Sequence, residues 1–484
     1  MSAYSWYTRS SLSSRELIAA IASSIGVILR KLWRVEVGVN PFLVAIVLFA
    51  LGSGVAGGAY HPAMLIGGRP VQGLGAAGLY VLSDILICDL VPPRHRGPYL
   101  SAVMTTAGIG STIGPVVGGV IAEHNWRWVF YLNVPISFLG FVVMLTLLKV
   151  KHNRSASWSY ALARIDYLGA IIFIPSLISS LYGLITGGIQ HSWSSWRVVL
   201  PIVLGICGWI LYHVQQATPS LCASPSTPPH LFTNRSHSIL MYIVAFFLPL
   251  YFQSAKLISP LMSGVYYLPF ALAIIPFAGF SGWALSRWGK YIPLHYAGFA
   301  MLSIGMGLFS MLDDTSSRAA WIGFQIFPSA GIALIYTATL PSTLAALEEK
   351  DVAVATATCS FLRTFGFSWG VAMAGIVFNA HVDARLGTVS DEGLREALRN
   401  GAAYAFAGNE GGLRDPKDPI AVKQVLGVYA KALRSVWLVA MAVALLGFVC
   451  VPVERSIELK RDHTTEYGLV EKETKTNQVT SGTE

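Results

Sequence analysis

The spacing of apolar blocks constrains this chain more than any other feature. They occupy about residues 41–60, 64–90, 98–122, 127–149, 167–188, 196–214, 238–253, 262–285, 293–312, 320–345, 354–379 and 433–453. A block of roughly 20 apolar residues has the length of a helix crossing a bilayer core. Inside a membrane the backbone must satisfy its own hydrogen bonds, and a helix does so within one segment. Charged residues form only 12 % of the sequence and hydrophobic ones 54 %, against about 25 % charged in ordinary soluble domains. The expected fold class is an all-α polytopic membrane protein with twelve visible transmembrane helices. A shorter apolar stretch, 17–29, is flanked by Arg15, Glu16, Arg30 and Lys31 and reads as an interfacial helix.

The net charge of +9 is then a topology signal. Alternate loops carry Arg30, Lys31 and Arg34; Arg94 and Arg96; Lys151, Arg154 and Arg164; Arg235; Arg287 and Lys290; and Lys350. The other short loops carry only Arg127, Arg197, Lys256 and Arg318. The richer set is expected on the cytosolic side. That puts the long loop 380–432 outside and the polar tail 454–484 inside, the tail being expected to be disordered. The sequons at Asn153 and Asn234 then face the cytosol and are expected to stay unglycosylated. No basic stripe with interleaved aromatics points to nucleic acid, and the five cysteines have no paired spacing. Nor do the eleven histidines cluster with carboxylates within the apolar blocks. No nucleotide-binding loop or HExxH motif is present, which disfavours a primary pump or an enzyme and implies no cofactor or metal.

Two stretches break the apolar pattern. In "GRPVQGLGAAGLYVLSDILICDLVPPRHRG" (68–97), Arg69 and Asp84 lie inside an apolar block. Ionisable groups at bilayer depth mark function by default. Fifteen residues apart, they share a broad helix face but stand about 22 Å apart in height. Snorkelling of both toward opposite headgroup layers is the alternative reading. Gln72 follows on the next turn, and Asp89 lies at the cytosolic end near Arg94 and Arg96. In "GIGSTIGPVVGG" (108–119), five of twelve residues are glycine and one is proline, the two worst helix formers. Gly110, Gly114 and Gly118 recur every four residues and form a smooth ridge that would admit another backbone. Pro115 removes one hydrogen bond, and Gly108 and Gly119 soften the flanks. Static close packing and a bent contact sealing one side of a cavity are both open readings.

The order "GRPVQGLGAAG…DLVPPRHRG…GIGSTIGPVVGG…NWRWVFYLNVPI", with "IDYLGAIIF", "LPLYFQ", "SPLMSGVYYLP" and "ATATCSFLRTFGFSWGVAMAGIVFN", resembles the major facilitator superfamily over about 41–380. It is most similar to the fourteen-span drug:proton antiporters of fungi. "GWALSRWGK" (282–290), with Gly282, Arg287, Gly289 and Lys290, resembles a second copy of that family's cytosolic gating loop, with Ser286 where Asp is usual. The antiporter element of that family lies on the fifth span, and here it lies on the third. The resemblance therefore implies a fourteen-span plan lacking its first two spans. Segment 1–40 is then atypical, 41–150 holds four amino-terminal spans, 151–237 two linker spans, and 238–453 a six-span carboxy-terminal bundle.

The function implied is proton-coupled export of small hydrophobic or amphiphilic compounds. In this reading Asp84 carries the proton and Arg69 is the fixed charge that proton or substrate displaces. Arg363, about 14 Å into its span, is either a counter-ion or a structural pair between helices. Gln72, Gln253, Gln325, Tyr336 and Asn379 are cavity candidates, although inter-helix hydrogen bonding suits each alone. The cytosolic gate would comprise Asp89, Arg94, Arg96, Gly282, Arg287, Gly289 and Lys290. Partners expected are the lipid bilayer, a small-molecule substrate and protons, without nucleic acid and with a monomeric chain. The plasma membrane is the expected location, the vacuolar membrane its alternative. A siderophore-type importer and a truncated chain that does not transport are the competing functions.

Overall fold

The structure is a computed structural model describing residues 40–147, 150–151, 166–187, 191–218, 260–313, 316–345, 347, 349–399, 401–403, 406, 419–454, 456–459 and 468–469. The stretch 17–29, the expected span 238–253 and Gln253 lie outside the described residues.

Apolar helices dominate. The first portion contains α1 (Asn40–Gly57), α2 (Pro62–Leu90), α3 (Arg96–Asn125), the single turn α4 (Trp128–Tyr131) and α5 (Asn133–Leu147). Two further helices follow, α6 (Tyr167–Thr186) and α7 (Trp196–Ala217). The last portion contains α8 (Pro260–Trp288), α9 (Ile292–Phe309), α10 (Arg318–Leu344), α11 (Glu349–Asp383), the short α12 (Glu392–Leu398) and α13 (Pro419–Cys450). Eight of the described helices are long and apolar enough to cross a membrane. The only strands among the described residues are the antiparallel two-residue pair β1 (Val150–Lys151) and β2 (Gly468–Leu469). The chain is an all-helical polytopic membrane protein, as its apolar blocks require.

Local chemistry sets many of the boundaries. Pro62 begins α2, where a missing backbone N–H is tolerated. Asp166 caps α6 by accepting from Gly169 N at 2.8 Å. Ser195, Ser317 and Asp391 cap α7, α10 and α12 in the same way. Helix α8 ends on Gly289, whose φ of 67° is the left-handed conformation that closes a helix most cheaply with glycine. Residues 419–432, expected to belong to an outer loop, instead extend α13 by several turns beyond the apolar block. Their apolar side, including Val425, Val428, Tyr429 and Ala432, is buried against folded loop residues such as Val389, Leu398 and Ala403, so hydropathy averaged over the charged positions hid the helix.

Close backbone approach decides how the helices pack. A Cβ on Gly52 of α1 would lie 2.1 Å from Gln72 N, and one on Gly75 of α2 would lie 2.2 Å from Phe49 N. A Cβ on Gly68 would lie 2.9 Å from Ala56 N. In the α6–α7 hairpin, Gly205 and Gly208 sit on Ser180 and Ser176. Gly298 and Gly331 oppose each other between α9 and α10. Such small-residue contacts let helices gain dispersion energy without a hydrophobic drive from solvent. The ridge of Gly110, Gly114 and Gly118 behaves differently: among the described residues, a Cβ there would meet nothing within 4 Å. The close contact expected at "GIGSTIGPVVGG" has no partner among the described residues, and α3 continues as a helix through Pro115 and Gly119.

The two portions meet along α3 and α8. Gly97 and Gly282 face each other there, and a Cβ on Gly282 would lie 2.9 Å from Gly97 O and 2.7 Å from Ser101 Oγ. Next to this crossing, Cys88, Leu100, Leu340, Leu344, Ala355 and Cys359 form one buried apolar cluster. It joins α2 and α3 to α10 and α11 and closes the face that bears the basic loops.

Candidate functional site

A polar centre lies immediately beyond that apolar seal. Asp84 is one helical turn before Cys88, and Ser360 directly follows Cys359, so the sealing residues and the polar ones come from the same turns. Asp84 and Arg363 are 2 % and 3 % exposed. Arg363 Nη1 stands 3.4 Å from Asp84 Oδ2, an ion pair joining α2 to α11. Ser360 Oγ donates to the same carboxylate oxygen at 2.8 Å. Arg363 Nη1 also donates to Tyr80 Oη and Tyr336 Oη, each at 2.8 Å. The two phenols are 2.6 Å apart, and the guanidinium carbon lies 4.1 Å from the centre of the Tyr336 ring.

Helical periodicity produces this cluster. Tyr80 and Asp84 are four residues apart on α2, and Ser360 and Arg363 are three apart on α11, so each pair shares a helix face. Tyr336 arrives from α10. A buried guanidinium keeps its charge and needs both a counter-charge and acceptors for its other protons. Asp84 supplies the first, and the phenols supply acceptors and aromatic faces. Neutralising Asp84 would remove the counter-charge while leaving the phenol bonds.

Arg69 belongs to another network. Arg69 Nη1 donates to Gln72 Oε1 at 2.7 Å, and Gln72 Nε2 donates to Ser53 Oγ at 2.8 Å. The guanidinium carbon also lies 5.6 Å from the centre of the Phe130 ring. Asp84 thus takes its positive partner from Arg363 across the molecule and not from Arg69 along its own helix. A rise of 1.5 Å per residue keeps positions fifteen apart from meeting on one helix.

The remaining expected site residues fall into different environments. Gln325 braces helices: its Nε2 donates to Tyr266 O at 3.1 Å, and its Oε1 accepts from Phe270 N at 3.2 Å. It therefore inserts between two groups of α8 that would bond each other in an unbroken helix. Asn379 Oδ1 is buried without a hydrogen-bond partner among the described residues. Arg96, expected at the cytosolic gate, packs against the end of α2. It is buried and donates to Cys88 O (2.6 Å) and Val91 O (3.0 Å), capping the end of α2. Gly282 packs on Gly97, Gly289 makes the left-handed turn, and Arg287 and Lys290 are exposed. The side chains of Asp89, Arg94 and Pro115, and the surroundings of Gly119, are outside the described set. His95 Nδ1 approaches Ser286 Oγ at 3.4 Å, joining the α2–α3 turn to the end of α8.

Tyr80 and Ser360 were not singled out by sequence. Their signal was present: each lies one turn from an ionisable residue in an apolar helix. Among the described residues no group of three or more His, Cys, Asp or Glu side chains could hold a metal ion.

The relatives of the sequence agree with this architecture. An "MFS efflux transporter aclA" of Aspergillus oryzae is 42 % identical over 476 residues, covering 96 % of this chain and 83 % of the relative. An "Efflux pump FUS6" of Gibberella fujikuroi is 38 % identical, covering 91 % of this chain and 81 % of the relative. The crystal structure of the human organic anion transporter MFSD10 superposes with a TM-score of 0.53 at 14 % identity, covering 91 % of this chain and 83 % of that one. At that identity the likeness concerns the fold alone. Residues 17–371 match the description "Major Facilitator Superfamily", and with a match of that extent the chain belongs to the Major Facilitator Superfamily.

Proposed function

We propose that this chain is a secondary active exporter that couples outward movement of small hydrophobic or amphiphilic compounds to inward movement of protons. Family membership and relatives named as efflux transporters support export. The proton-carrying role rests on one observation: Asp84 and Arg363 form a buried ion pair between α2 and α11, beside the apolar seal. A ligand shifts a conformational equilibrium only by its differential affinity for the two states. A proton on Asp84 meets that condition if opening this face separates Asp84 from Arg363, because it weakens the ion pair that joins the two portions in the described conformation. Arg363, Tyr80, Tyr336 and Ser360 are positioning groups for that carboxylate. Arg69 and Gln72 serve the α1–α2 contact.

The test is transport by reconstituted protein in vesicles carrying a pH gradient, with a lipophilic fluorescent dye as cargo. An Asp84→Asn protein is expected to lose gradient-driven export while still binding the dye. Full coupled export by that variant would sink the proton-carrier role.

A further inference from the structure

We propose that the Tyr80–Tyr336 pair reads the cargo: one of its two phenolic hydrogens donates to a carbonyl oxygen of an uncharged compound. This rests on the export reading above and names the class of compound that the site takes.

Hydrogen-bond stoichiometry points there. Two phenols bring two O–H hydrogens. One of them lies between the two oxygens, which are 2.6 Å apart. Arg363 Nη1 stands 2.8 Å from each oxygen, but a guanidinium only donates, so it takes neither hydrogen. Asp84 Oδ2 accepts from Ser360 Oγ and from Arg363 Nη1 and bonds neither phenol. Whichever phenol donates to the other, the second hydrogen has no acceptor among the described residues. Such a hydrogen in a low-dielectric interior is costly, and an acceptor that reaches it gains a hydrogen bond. Tyr80 and Tyr336 are partly exposed, whereas Asp84 and Arg363 are buried. An incoming molecule therefore meets the phenols before the charges.

Charge decides the rest. With Asp84 ionised, the site holds one positive and one negative group and calls for no further ion. Protonating Asp84 leaves Arg363 without its counter-charge. An anionic cargo would then bind more tightly at the step where exchange requires release, and would travel with the proton instead of against it. A cation would have to sit beside a guanidinium already holding the carboxylate, where like charges repel. An uncharged molecule escapes both penalties. Among neutral groups a ketone, ester or quinone oxygen accepts without adding a hydrogen, whereas a hydroxyl brings another that must itself be accepted.

Fluorenone and fluorene test the assignment, because they have nearly the same shape and only the first has a carbonyl. Their affinities are measured by equilibrium dialysis against full-length protein in detergent at one neutral pH, corrected for partition into micelles. The parent is expected to hold fluorenone about tenfold more tightly than fluorene, the scale of one neutral hydrogen bond. In a Tyr80→Phe, Tyr336→Phe double variant that ratio should fall to about one. A parent without the preference, or a folded double variant that keeps it, overturns the proposal. Should the double variant fail to fold, infrared spectra of isotope-labelled fluorenone bound to the parent take its place. The carbonyl stretch is expected at lower wavenumber than in hexane, and an unshifted band overturns the hydrogen bond. Fluorenecarboxylate should bind the parent more weakly than fluorenone, and tighter binding overturns the uncharged class. All these are binding measurements at fixed pH, so they succeed or fail independently of the coupling that Asp84→Asn tests.

Discussion

The Asp84–Arg363 pair shows how strongly one buried charge depends on another. Removing one partner of a buried ion pair leaves an unpaired charge and costs about 3–5 kcal/mol. Arg363→Gln should therefore lower the melting temperature in detergent sharply, whereas Asp84→Asn combined with Arg363→Gln should recover much of the loss. A double variant no more stable than Arg363→Gln alone would show that the two side chains are not coupled. Ser360→Ala removes a hydrogen bond to an ionised acceptor and should cost about 1.5–3 kcal/mol by the same measurement. Sequence exposed both charges, because an Asp or Arg within an apolar block is visible without any structure. It could not pair them. Arg69 lies nearer along the chain, but 279 positions separate Asp84 from the arginine it contacts.

Among the helices, glycine has two meanings that look alike in sequence. Gly52, Gly68 and Gly75 are filled contacts between α1 and α2, whereas Gly110, Gly114 and Gly118 meet nothing among the described residues. Gly75→Ala should destabilise by about 1–3 kcal/mol, because a methyl group would force the helices apart. Gly114→Ala should be neutral, or stabilise by up to about 1 kcal/mol through helix propensity. Thermal unfolding of the two variants separates these cases. A comparable loss in both would mean that the 110–118 ridge is packed after all. Unchanged stability with reduced export by Gly114→Ala would place the ridge contact in another state of the transport cycle. The α13 extension teaches a related lesson. Lys423 and Lys431 made that stretch read as loop, but its apolar residues pack on a folded segment around Val389 and Leu398 that hydropathy cannot anticipate.

At the level of the whole molecule, the described conformation is closed on one face. The Gly97–Gly282 crossing sets the distance between α3 and α8, and the cluster around Leu100 and Leu344 excludes water below Asp84. Burying each such leucine is worth about 1.5–3 kcal/mol relative to exposure. Gly282→Val would clash with Gly97 O and Ser101 Oγ and push the two portions apart. Proteoliposomes carrying that variant should dissipate an imposed pH gradient faster than those carrying the parent. An equal rate of decay would show that this crossing does not control the seal.

The sequence by itself determined the class of the molecule: apolar blocks of bilayer length leave helices as the economical way to satisfy a backbone in lipid. Motif order carried the family resemblance, and isolated charges identified which helices hold chemistry. Those signals are local, written within one block or its immediate flanks. Tertiary structure alone decided that Asp84 answers to Arg363, that Tyr80, Tyr336 and Ser360 complete the cluster, and that Arg96 caps a helix. It also decided that the first residues of the tail, expected to be disordered, pack on the α8–α9 turn through Leu459. Each of these is a meeting of distant segments in a low-dielectric interior. There a charge or a leucine is placed by what packs against it, and periodicity along the chain does not specify the partner.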